Sequence, residues 1–426
     1  MGEKKLEQSL REEIVNIGKK TKDASRSLLK VGTKEKNELL AKIKYNILYK
    51  DAQSILKANE EDILNARKNG LSEGIIDRLL IDGKRLEDMA ASIDTVIELE
   101  DPVGKVKDMK TLENGLIIGK KSVPIGVLAI IYEARPNVTM DASVLAIKSS
   151  NALILRGGKE AINSNKAIVK SIKSSIKDMG LNENIISLIT DTSRESSVEL
   201  MKLKGYVDLL IPRGSASLIN AVVENSKVPT LETGVGNCHI YVDDSADTDM
   251  AISIIENAKT TRISVCNAME SLLVNEKVAD DFYKKLSELI LKYNIKVHGC
   301  EKTVNKLNNV IAATEEDYYK EYLDYEMSMK IVKNIDEAID HISKYSSGHS
   351  EVIVTENYAN SMRFLNEVDS SCVYVNASSR FTDGGQFGKG VEMGISTQKL
   401  HARGPVGLEE LVSSKYIIFG NGQIRK

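Results

Sequence analysis

The sequence predicts an α/β protein, with a largely parallel, doubly wound sheet and a second α/β domain that begins near residue 237. Three observations predict this fold class. The first hundred residues look helical, short apolar strands alternate with amphipathic helices from about residue 127, and the second half repeats that alternation with different content. A chain of 426 residues is long enough for two or three domains.

Helices account for the first hundred residues. Apolar residues recur at spacings of three and four, with charged residues between them, in LEQSLREEIVNIGKKTKDASRSL and from KEKNELLAKIKY onward. Such stripes predict helices that pack one face against a core. The Glu and Lys pairs along them are most simply solvated helix faces.

Two further segments predict a small β element. Residues 112–126 contain two short β-like runs on either side of GKKS, which we interpret as a hairpin. The tail, EELVSSKYIIFGNGQIRK, contains an apolar strand with no partner in its own neighbourhood. A terminal strand of this kind often pairs with another element, and a neighbouring subunit is one candidate. We therefore expect a homo-oligomer.

Short apolar runs predict the strands of the doubly wound sheet. They are 127–133, 151–156, 185–191, 207–213 and 228–232, with 238–244 close behind. Helical patterns separate these runs, as a parallel sheet requires. In the second half SLLVNEK, SMKIV, SEVIVTEN and SCVYVNASSR read as strands, separated by helices such as DDFYKKLSELILKYN.

The turns after these strands carry glycines and cations, in ARPN, RGGKE, PRGS and ETGVGN. Ligands of open α/β sheets bind beyond the carboxyl ends of the strands. Gly157 and Gly214 would let the backbone approach a ligand closely, while Arg156, Lys159 and Arg213 add positive charge beside helix N-termini. For any single turn ordinary turn geometry is the simpler explanation. Several such turns at one sheet edge favour a phosphate-bearing ligand.

Composition and motifs exclude several classes of protein. Lys and Arg number 58 against 61 Asp and Glu, so a nucleic-acid or anionic-membrane binder is not expected. The charged start lacks a signal sequence, and the most apolar run is too short to span a bilayer. Four cysteines without a CxxC pair predict a reducing, cytoplasmic setting rather than a disulfide framework. Scattered histidines without an HExxH motif or a Cys/His cluster predict no metal site.

Among the cysteines, Cys266 is the best candidate for a nucleophile. It lies in TTRISVCNAMESLLV, a polar turn before an apolar strand, with Arg262 nearby in the sequence. A cysteine nucleophile needs a lowered pKa, an oxyanion stabiliser and access to a cleft. Cys372 lies inside a strand and Cys300 in a charged loop. Because most cysteines only pack, the residues alone leave open whether any of the four is catalytic.

Several long segments resemble the gamma-glutamyl phosphate reductases of the aldehyde dehydrogenase superfamily. They are VPIGVLAIIYEARPNVTMDA, ILRGGKEAINSN, LETGVGNCHIYVD and VNASSRFTDGGQFGKGVEMGISTQKLHARGPVGLEEL. As in that superfamily, a Glu-bearing turn at Glu232 precedes Cys266 by 34 positions. The resemblance implies an aldehyde-dehydrogenase-like fold whose cofactor domain is a variant of the Rossmann domain, which fits the absence of a strict GxGxxG motif.

The resemblance also gives the domains their expected roles. Residues 1–111 and 127–236 would form the dinucleotide-binding domain, 237–404 the catalytic domain, and 112–126 with 405–426 the oligomerisation element.

The resemblance implies three catalytic residues. Cys266 matches the superfamily nucleophile, and Asn137 matches the residue whose side-chain amide forms the oxyanion hole with the cysteine N–H. Glu232 matches the carboxylate that activates water in hydrolytic members. Because water is an unwanted acceptor in the reduction of an acyl phosphate, we expect Glu232 to orient or support the site.

The cofactor implied by the resemblance is NADP(H). The residues that match the cofactor-binding positions are Arg156, Gly157 and Lys159 at the adenosine ribose, Arg213, Gly214 and Ser215 at the pyrophosphate, and Glu321 at the nicotinamide ribose. A lysine where an acid would bind the ribose favours NADP over NAD. The pyrophosphate turn lacks its second glycine, and the match at Glu321 assumes that no gap intervenes.

The expected reaction is the NADPH-dependent reduction of L-glutamyl 5-phosphate to L-glutamate 5-semialdehyde and phosphate through a Cys266 thioester, the second step of proline biosynthesis. Arg380 and Arg403 suit the substrate's anionic groups, and Ser378 and His349 are lesser candidates. Glutamate 5-kinase is a candidate partner for functional coupling, because some relatives carry this kinase fused to the reductase. This chain has no length left to house a fused kinase.

Two alternatives share the fold. A hydrolytic aldehyde dehydrogenase would act on another aldehyde with Glu232 as base, and a non-catalytic scaffold would have lost the chemistry. The C-terminal signature from VNASSR to RGPVG favours the reductase over the first alternative. The presence of Cys266, Asn137 and Glu232 argues against the second.

Overall fold

The computed structural model of the chain describes residues 2–425. They form two compact units. The first contains residues 2–232, 388–394 and 406–425, and the second contains 233–387 and 395–405. No helix in the described part of the chain is both long enough and apolar enough to cross a membrane.

Helices and strands alternate through most of the chain. The helices are α1 (Gly2–Leu28), α2 (Thr33–Tyr45), α3 (Ala52–Lys68), α4 (Glu73–Leu79), α5 (Gly83–Glu98), α6 (Pro136–Lys148), α7 (Ile162–Asp178), α8 (Arg194–Met201), α9 (Ala216–Asn225), α10 (Thr248–Thr260), α11 (Asp280–Tyr293), α12 (Glu301–Lys306), α13 (Ile335–Tyr345) and α14 (Tyr358–Glu367). The strands are β1 (Val106–Thr111), β2 (Ile117–Pro124), β3 (Val127–Tyr132), β4 (Ala152–Gly157), β5 (Ile186–Leu188), β6 (Leu209–Arg213), β7 (Cys238–Val242), β8 (Met269–Asn275), β9 (Lys296–Gly299), β10 (Ile311–Ala312), β11 (Glu326–Val332), β12 (Ser350–Val354), β13 (Cys372–Val375), β14 (Ile395–Ser396), β15 (Gly404–Pro405) and β16 (Val412–Phe419).

A parallel sheet in the order β5-β4-β3-β6 forms the centre of the first unit. Every residue of β3 and β4 is buried, as expected for strands covered on both faces. Ile14 of α1 packs in the same core as Ile131 and Leu210 of the sheet. The predicted doubly wound alternation is therefore confirmed.

The predicted strand at 228–232 is wrong. In this segment the described chain shows only an isolated bridge between Leu210 and Thr230. Pro229 accepts a hydrogen bond from the N–H of Leu210 but has no N–H of its own to extend a ladder.

β1, β2 and β16 form a three-stranded antiparallel sheet in the first unit. A hairpin is present, but the prediction that it turns at GKKS is wrong, because those residues lie inside β2. The chain turns at residues 112–116, where Gly115 has a φ of 84° and the Asn114 side chain accepts from the N–H of Leu116. All eight residues of β16 pair with β2, so the C-terminal strand has a partner within its own chain.

The second unit contains a seven-stranded parallel sheet in the order β10-β9-β11-β8-β7-β12-β13. Val242, Leu272, Phe282 and Met327 lie in its buried core. The strands predicted in the second half are confirmed at β8, β11, β12 and β13. β9 and β10 were not predicted, because they have only four and two residues and too short an apolar pattern.

Candidate active site

Cys266 lies in the second unit, in a loop that we call the nucleophile loop (residues 261–268), between α10 and β8. The residue is half-buried, and its carbonyl accepts a hydrogen bond from Sγ of Cys238 at 3.1 Å. A Cβ atom at Gly236 would overlap that same carbonyl, so only glycine fits here without moving the loop. The N–H of Gly236 donates to Oε1 of Glu321 at 2.8 Å.

The two ends of the nucleophile loop are joined by a buried ion pair. Nζ of Lys259, in the last turn of α10, lies 2.8 Å from Oε2 of Glu270 in β8, and both side chains are fully buried. Burial lowers the pKa of Lys259 and raises that of Glu270 to about 7, because each charge is removed from water. Oε1 of Glu270 also accepts the N–H of Leu323, two residues after Glu321. The loop is thus fixed at its base.

Asn267 connects the nucleophile loop to the predicted substrate-binding segment. Its side-chain N–H groups donate to the backbone carbonyls of Arg380 (3.3 Å) and Thr382 (2.8 Å). The backbone carbonyl of Asn267 accepts from Oγ of Ser379 at 2.7 Å. Nη1 of Arg380 donates in turn to Oδ1 of Asn267. Ser378 caps this short turn, since its Oγ accepts the N–H of Arg380. The structure therefore joins the segment of Arg380 and Ser378 to the loop that carries Cys266.

His349 and Cys238 lie behind the nucleophile loop. Nδ1 of His349 lies 2.8 Å from Oγ of Ser350 and 3.6 Å from Sγ of Cys238. Burial raises the pKa of the Cys238 thiol well above its usual range, so this cysteine stays protonated and donates to the loop. Burial also raises the pKa of Glu321, while the hydrogen bond from the N–H of Gly236 and, to a smaller extent, His349 act in the opposite direction.

Arg403 has a carboxylate partner. Its Nη2 donates to Oδ1 of Asp369 at 2.8 Å and to the Asp369 carbonyl at 2.9 Å, and Lys399 pairs with the same carboxylate. The ion pair is partly exposed. Arg403 would have to share or exchange this partner to bind a substrate anion.

In the first unit, Arg156 and Lys159 have different surroundings. The buried guanidinium of Arg156 donates to the carbonyls of Thr192 (2.8 Å) and Ser193 (2.6 Å), which holds the segment between β5 and α8. Lys159 is exposed, and no described residue forms an ion pair with it. Gly157 lies between them, where a Cβ would overlap the amide of Asn165. Lys159 is therefore the cation that remains available to a ligand.

A carboxylate of the chain itself occupies the predicted pyrophosphate turn. Oε2 of Glu133 accepts the N–H of Ser215 at 2.9 Å, and Oε1 accepts its hydroxyl at 2.7 Å. A Cβ on Gly214 would lie 2.7 Å from the same carboxyl group. The Glu133 carboxylate thus sits at the N-terminus of α9, where positive dipole and N–H groups favour an anion. Arg213 is the last residue of β6 and begins this turn.

Asn137 and Glu232 also belong to the first unit, whereas Cys266 belongs to the second. Asn137 is exposed near the start of α6, and its Nδ2 donates to Oδ2 of Asp141 at 3.1 Å. Burial raises the pKa of Asp141 to about 6, while its hydrogen bonds and the charge of Arg213 oppose the shift. This contact fixes the orientation of the Asn137 amide and leaves its second N–H available. Glu232 is half-buried.

Comparison with known proteins identifies the family. The model of the aldehyde dehydrogenase family matches residues 5–328. A gamma-glutamyl phosphate reductase of Clostridium botulinum is 55% identical over 97% of this chain and 100% of its own length, and that of Carboxydothermus hydrogenoformans is 51% identical with the same coverage. The crystal structure of gamma-glutamyl phosphate reductase from Thermotoga maritima has a TM-score of 0.94 and 49% identity, covering 97% of this chain and 100% of that one.

The chain belongs to the gamma-glutamyl phosphate reductases of the aldehyde dehydrogenase family. The predicted fold class and family are therefore confirmed. A glyceraldehyde-3-phosphate dehydrogenase of Methanocaldococcus jannaschii complexed with NADP, 16% identical with a TM-score of 0.69, shares the fold.

Several residues of this reductase family member escaped the sequence analysis. They are Glu133, Asp141, Cys238, Lys259 and Glu270. Glu133 and Cys238 contact predicted site residues that are distant in the sequence, Lys259 and Glu270 pair with each other at the ends of the nucleophile loop, and Asp141 contacts Asn137 from the next turn of α6. Two signals were available in the sequence: the spacing of four residues between Asn137 and Asp141 on a predicted helix, and the charged residues on either side of the loop of Cys266.

Proposed function

We propose that the chain catalyses the NADPH-dependent reduction of L-glutamyl 5-phosphate to L-glutamate 5-semialdehyde and phosphate, the second step of proline biosynthesis. The relatives named for this activity, at 51% to 55% identity over nearly the whole chain, support the substrate and the reaction. The structural observation that carries the proposal is the half-buried Cys266, on a loop fixed by Gly236, Cys238 and the Lys259–Glu270 ion pair.

Cys266 is the proposed nucleophile. Its thiolate attacks the acyl carbon of the substrate, phosphate leaves, and a thioester forms on Sγ. Phosphate is a good leaving group, so this step needs no strong general acid. When bound, NADPH supplies the hydride that reduces the thioester, and the resulting thiohemiacetal releases the aldehyde and restores the thiolate.

Asn137 is proposed to stabilise the negative oxygen that develops during attack. Its side-chain N–H would act together with the backbone N–H of Cys266. The hydrogen bond to Asp141 holds one N–H of the Asn137 amide, so the other N–H would be the one that donates to this oxygen. Glu232 would orient or support the site and not act as a base, because an activated water would hydrolyse the thioester.

Residues of the first unit fit a phosphorylated dinucleotide. Lys159 is exposed after β4, where a 2′-phosphate would need a cation, and Gly157 and Arg156 shape that turn. The turn of Arg213, Gly214 and Ser215 presents an N–H group at the start of α9 that already binds a carboxylate. We propose that it holds the pyrophosphate.

We also propose that β1, β2 and β16 form an interface with a second copy of the chain. β16 lies at the edge of its sheet, and Tyr416, Ile418 and Phe419 are more than half exposed. An edge strand with apolar side chains is a ready template for association. The proposed setting is the cytoplasm, where a glutamate 5-kinase would supply the labile acyl phosphate.

The reverse reaction tests the proposal. Purified chain is mixed with L-glutamate 5-semialdehyde, NADP⁺ and phosphate, and NADPH is followed by absorbance. We expect turnover that requires phosphate and is lost in Cys266→Ala but kept in Cys300→Ala, which removes another half-buried thiol. Turnover without phosphate would instead indicate a hydrolytic dehydrogenase with Glu232 as base.

A further inference from the structure

A cavity of about 320 Å³ in the second unit lies against the nucleophile loop. Thr261 and Asn267 of that loop contribute to its lining, as do Arg380 and Asp383 from the segment after β13. One cation and one carboxylate therefore line the same small space, beside the loop that carries Cys266.

Arg380 has hydrogen-bonding capacity to spare. Its Nη1 donates to Asn267, but its buried Nε has no hydrogen-bond partner in the part of the chain that the structure describes. Leaving a buried donor of a charged group unsatisfied is costly. The guanidinium also lines the cavity, and a carboxylate bound there would supply the opposite charge that this cation lacks on that side. Burial lowers the pKa of Arg380 and the charge of Arg262 lowers it further, while the negative charge of Asp383, which lines the same cavity, acts in the opposite direction.

Asp383 is exposed and divides its two oxygens between two tasks. Oδ1 accepts the N–H groups of Gly385 (2.9 Å) and Gln386 (3.2 Å) and so shapes the turn. Among the described residues no hydrogen bond or ion pair involves Oδ2. A carboxylate oxygen at a cavity rim suits an ammonium group and repels a phosphate dianion.

We infer that this cavity binds the α-amino-acid end of the substrate, with Arg380 on the α-carboxylate and Asp383 on the α-ammonium group. The inference rests on the proposed function and assigns the substrate's two small charged groups to opposite charges of the protein. In a glutamyl chain two methylene groups separate the α-carbon from the reacting acyl carbon. The head group must therefore bind close to Cys266, as a cavity lined by the nucleophile loop allows.

The test compares two substrates in the reverse assay. L-Glutamate 5-semialdehyde carries the α-ammonium group, and 5-oxopentanoate lacks it but keeps the carboxylate. In Asp383→Asn the amide oxygen can still accept from Gly385 and Gln386, so only the charge is lost. We expect kcat/KM for the natural aldehyde to fall about 30- to 100-fold through KM, and that for 5-oxopentanoate to change less than about 3-fold.

Further variants separate the two contacts. Arg380→Lys should lower kcat/KM for both substrates, because both have the carboxylate. Asp383→Glu keeps the negative charge, so it should lose less kcat/KM for the natural aldehyde than Asp383→Asn does. Asp336→Asn, which removes an exposed partner of Arg363, is the matched control and should change neither. The rate at which iodoacetamide alkylates Cys266 should be the same in Asp383→Asn as in the wild type, which shows that the loop is intact.

Three results would overturn the inference alone: an equal loss for both aldehydes in Asp383→Asn, a loss in kcat without KM, or no loss. A lower KM for phosphate in Asp383→Asn, with the aldehyde unaffected, would assign the cavity to phosphate. A wild-type chain without phosphate-dependent turnover of the natural aldehyde would overturn the proposed function, and this inference with it.

Discussion

The turn at the start of α9 and the nucleophile loop are both places where the chain would meet a charged ligand, but they are built differently. In the first unit the carboxylate of Glu133 already satisfies Ser215, and carbonyl groups hold Arg156. In the second unit the contacts lie behind Cys266, at its carbonyl and at the ends of its loop. If the first place binds the cofactor as proposed, the cofactor must compete there with Glu133, whereas the backbone of the second place is fixed by the chain's own contacts.

Replacement of Gly236 should have the largest effect. In Gly236→Ala the new Cβ overlaps the carbonyl of Cys266, so the loop must move and the thiol loses its position. We expect kcat in the reverse assay to fall about 1000-fold, because displacements near 1 Å already cost about 100-fold. Gly74→Ala is the control, since a Cβ there meets no atom within 4 Å. Activity within 10-fold of the wild type would show that the loop is not fixed by this contact.

Loss of the buried ion pair should affect stability. Glu270→Gln leaves Lys259 without its carboxylate in the core, and we expect the free energy of unfolding to drop by about 3 kcal/mol. Urea unfolding measures the change. Because apolar replacement of both partners avoids a buried charge, Lys259→Met combined with Glu270→Leu should recover most of the loss. Glu315→Gln breaks the exposed pair with Lys344 and should have no measurable effect. Equal effects of the two Gln variants would contradict the role assigned to the buried pair.

Exchange of Lys159 should change the cofactor preference. Lys159→Glu replaces the exposed cation after β4 with an acid that repels a 2′-phosphate and can accept from a ribose hydroxyl. We expect the ratio of kcat/KM for NADP⁺ to that for NAD⁺ to fall about 30-fold. The neighbouring Lys166, exposed on α7, provides the control variant Lys166→Glu. An unchanged ratio in Lys159→Glu would show that Lys159 does not bind the 2′-phosphate.

Neutralising Glu133 should have the smallest effect. Glu133→Gln keeps an acceptor for Ser215 but removes the negative charge that competes with a pyrophosphate at the N-terminus of α9. We expect KM for NADP⁺ to fall about 3-fold with kcat unchanged, and the gain to shrink at high ionic strength. A rise in KM would mean that Glu133 supports cofactor binding and does not compete with it.

Much of the fold could be predicted because it follows from local pattern. Apolar runs separated by helical stripes located β3, β4 and β6 within a few residues. The errors have physical causes. Pro229 has no N–H to extend a ladder. The glycine of GKKS lies inside β2, whereas the chain turns at Asn114 and Gly115, where Gly115 has a positive φ.

The site was only half predictable from the sequence. Cys266 and Arg380 lie in recognisable segments, and the structure joins them through Asn267. The contacts that prepare the site were not predictable, since Glu133 and Ser215 lie 82 residues apart and meet only through the strand order of the sheet. Contacts between residues so far apart have no characteristic separation along the chain, so no sequence pattern indicates them.

The central claim is that Cys266 forms a thioester, which phosphate resolves in the reverse reaction much faster than water or the substrate's own α-amine does. The most direct measurement mixes the chain with L-glutamate 5-semialdehyde and NADP⁺ without phosphate, quenches rapidly in acid because the α-amine can attack the thioester, and maps the adduct by mass spectrometry. The account predicts a glutamyl adduct on Cys266 and a burst of NADPH equal to the enzyme concentration. When phosphate is added, the adduct should disappear and NADPH should continue to form beyond one equivalent per enzyme. An adduct on another cysteine, or steady NADPH formation that is as fast without phosphate as with it, would contradict it.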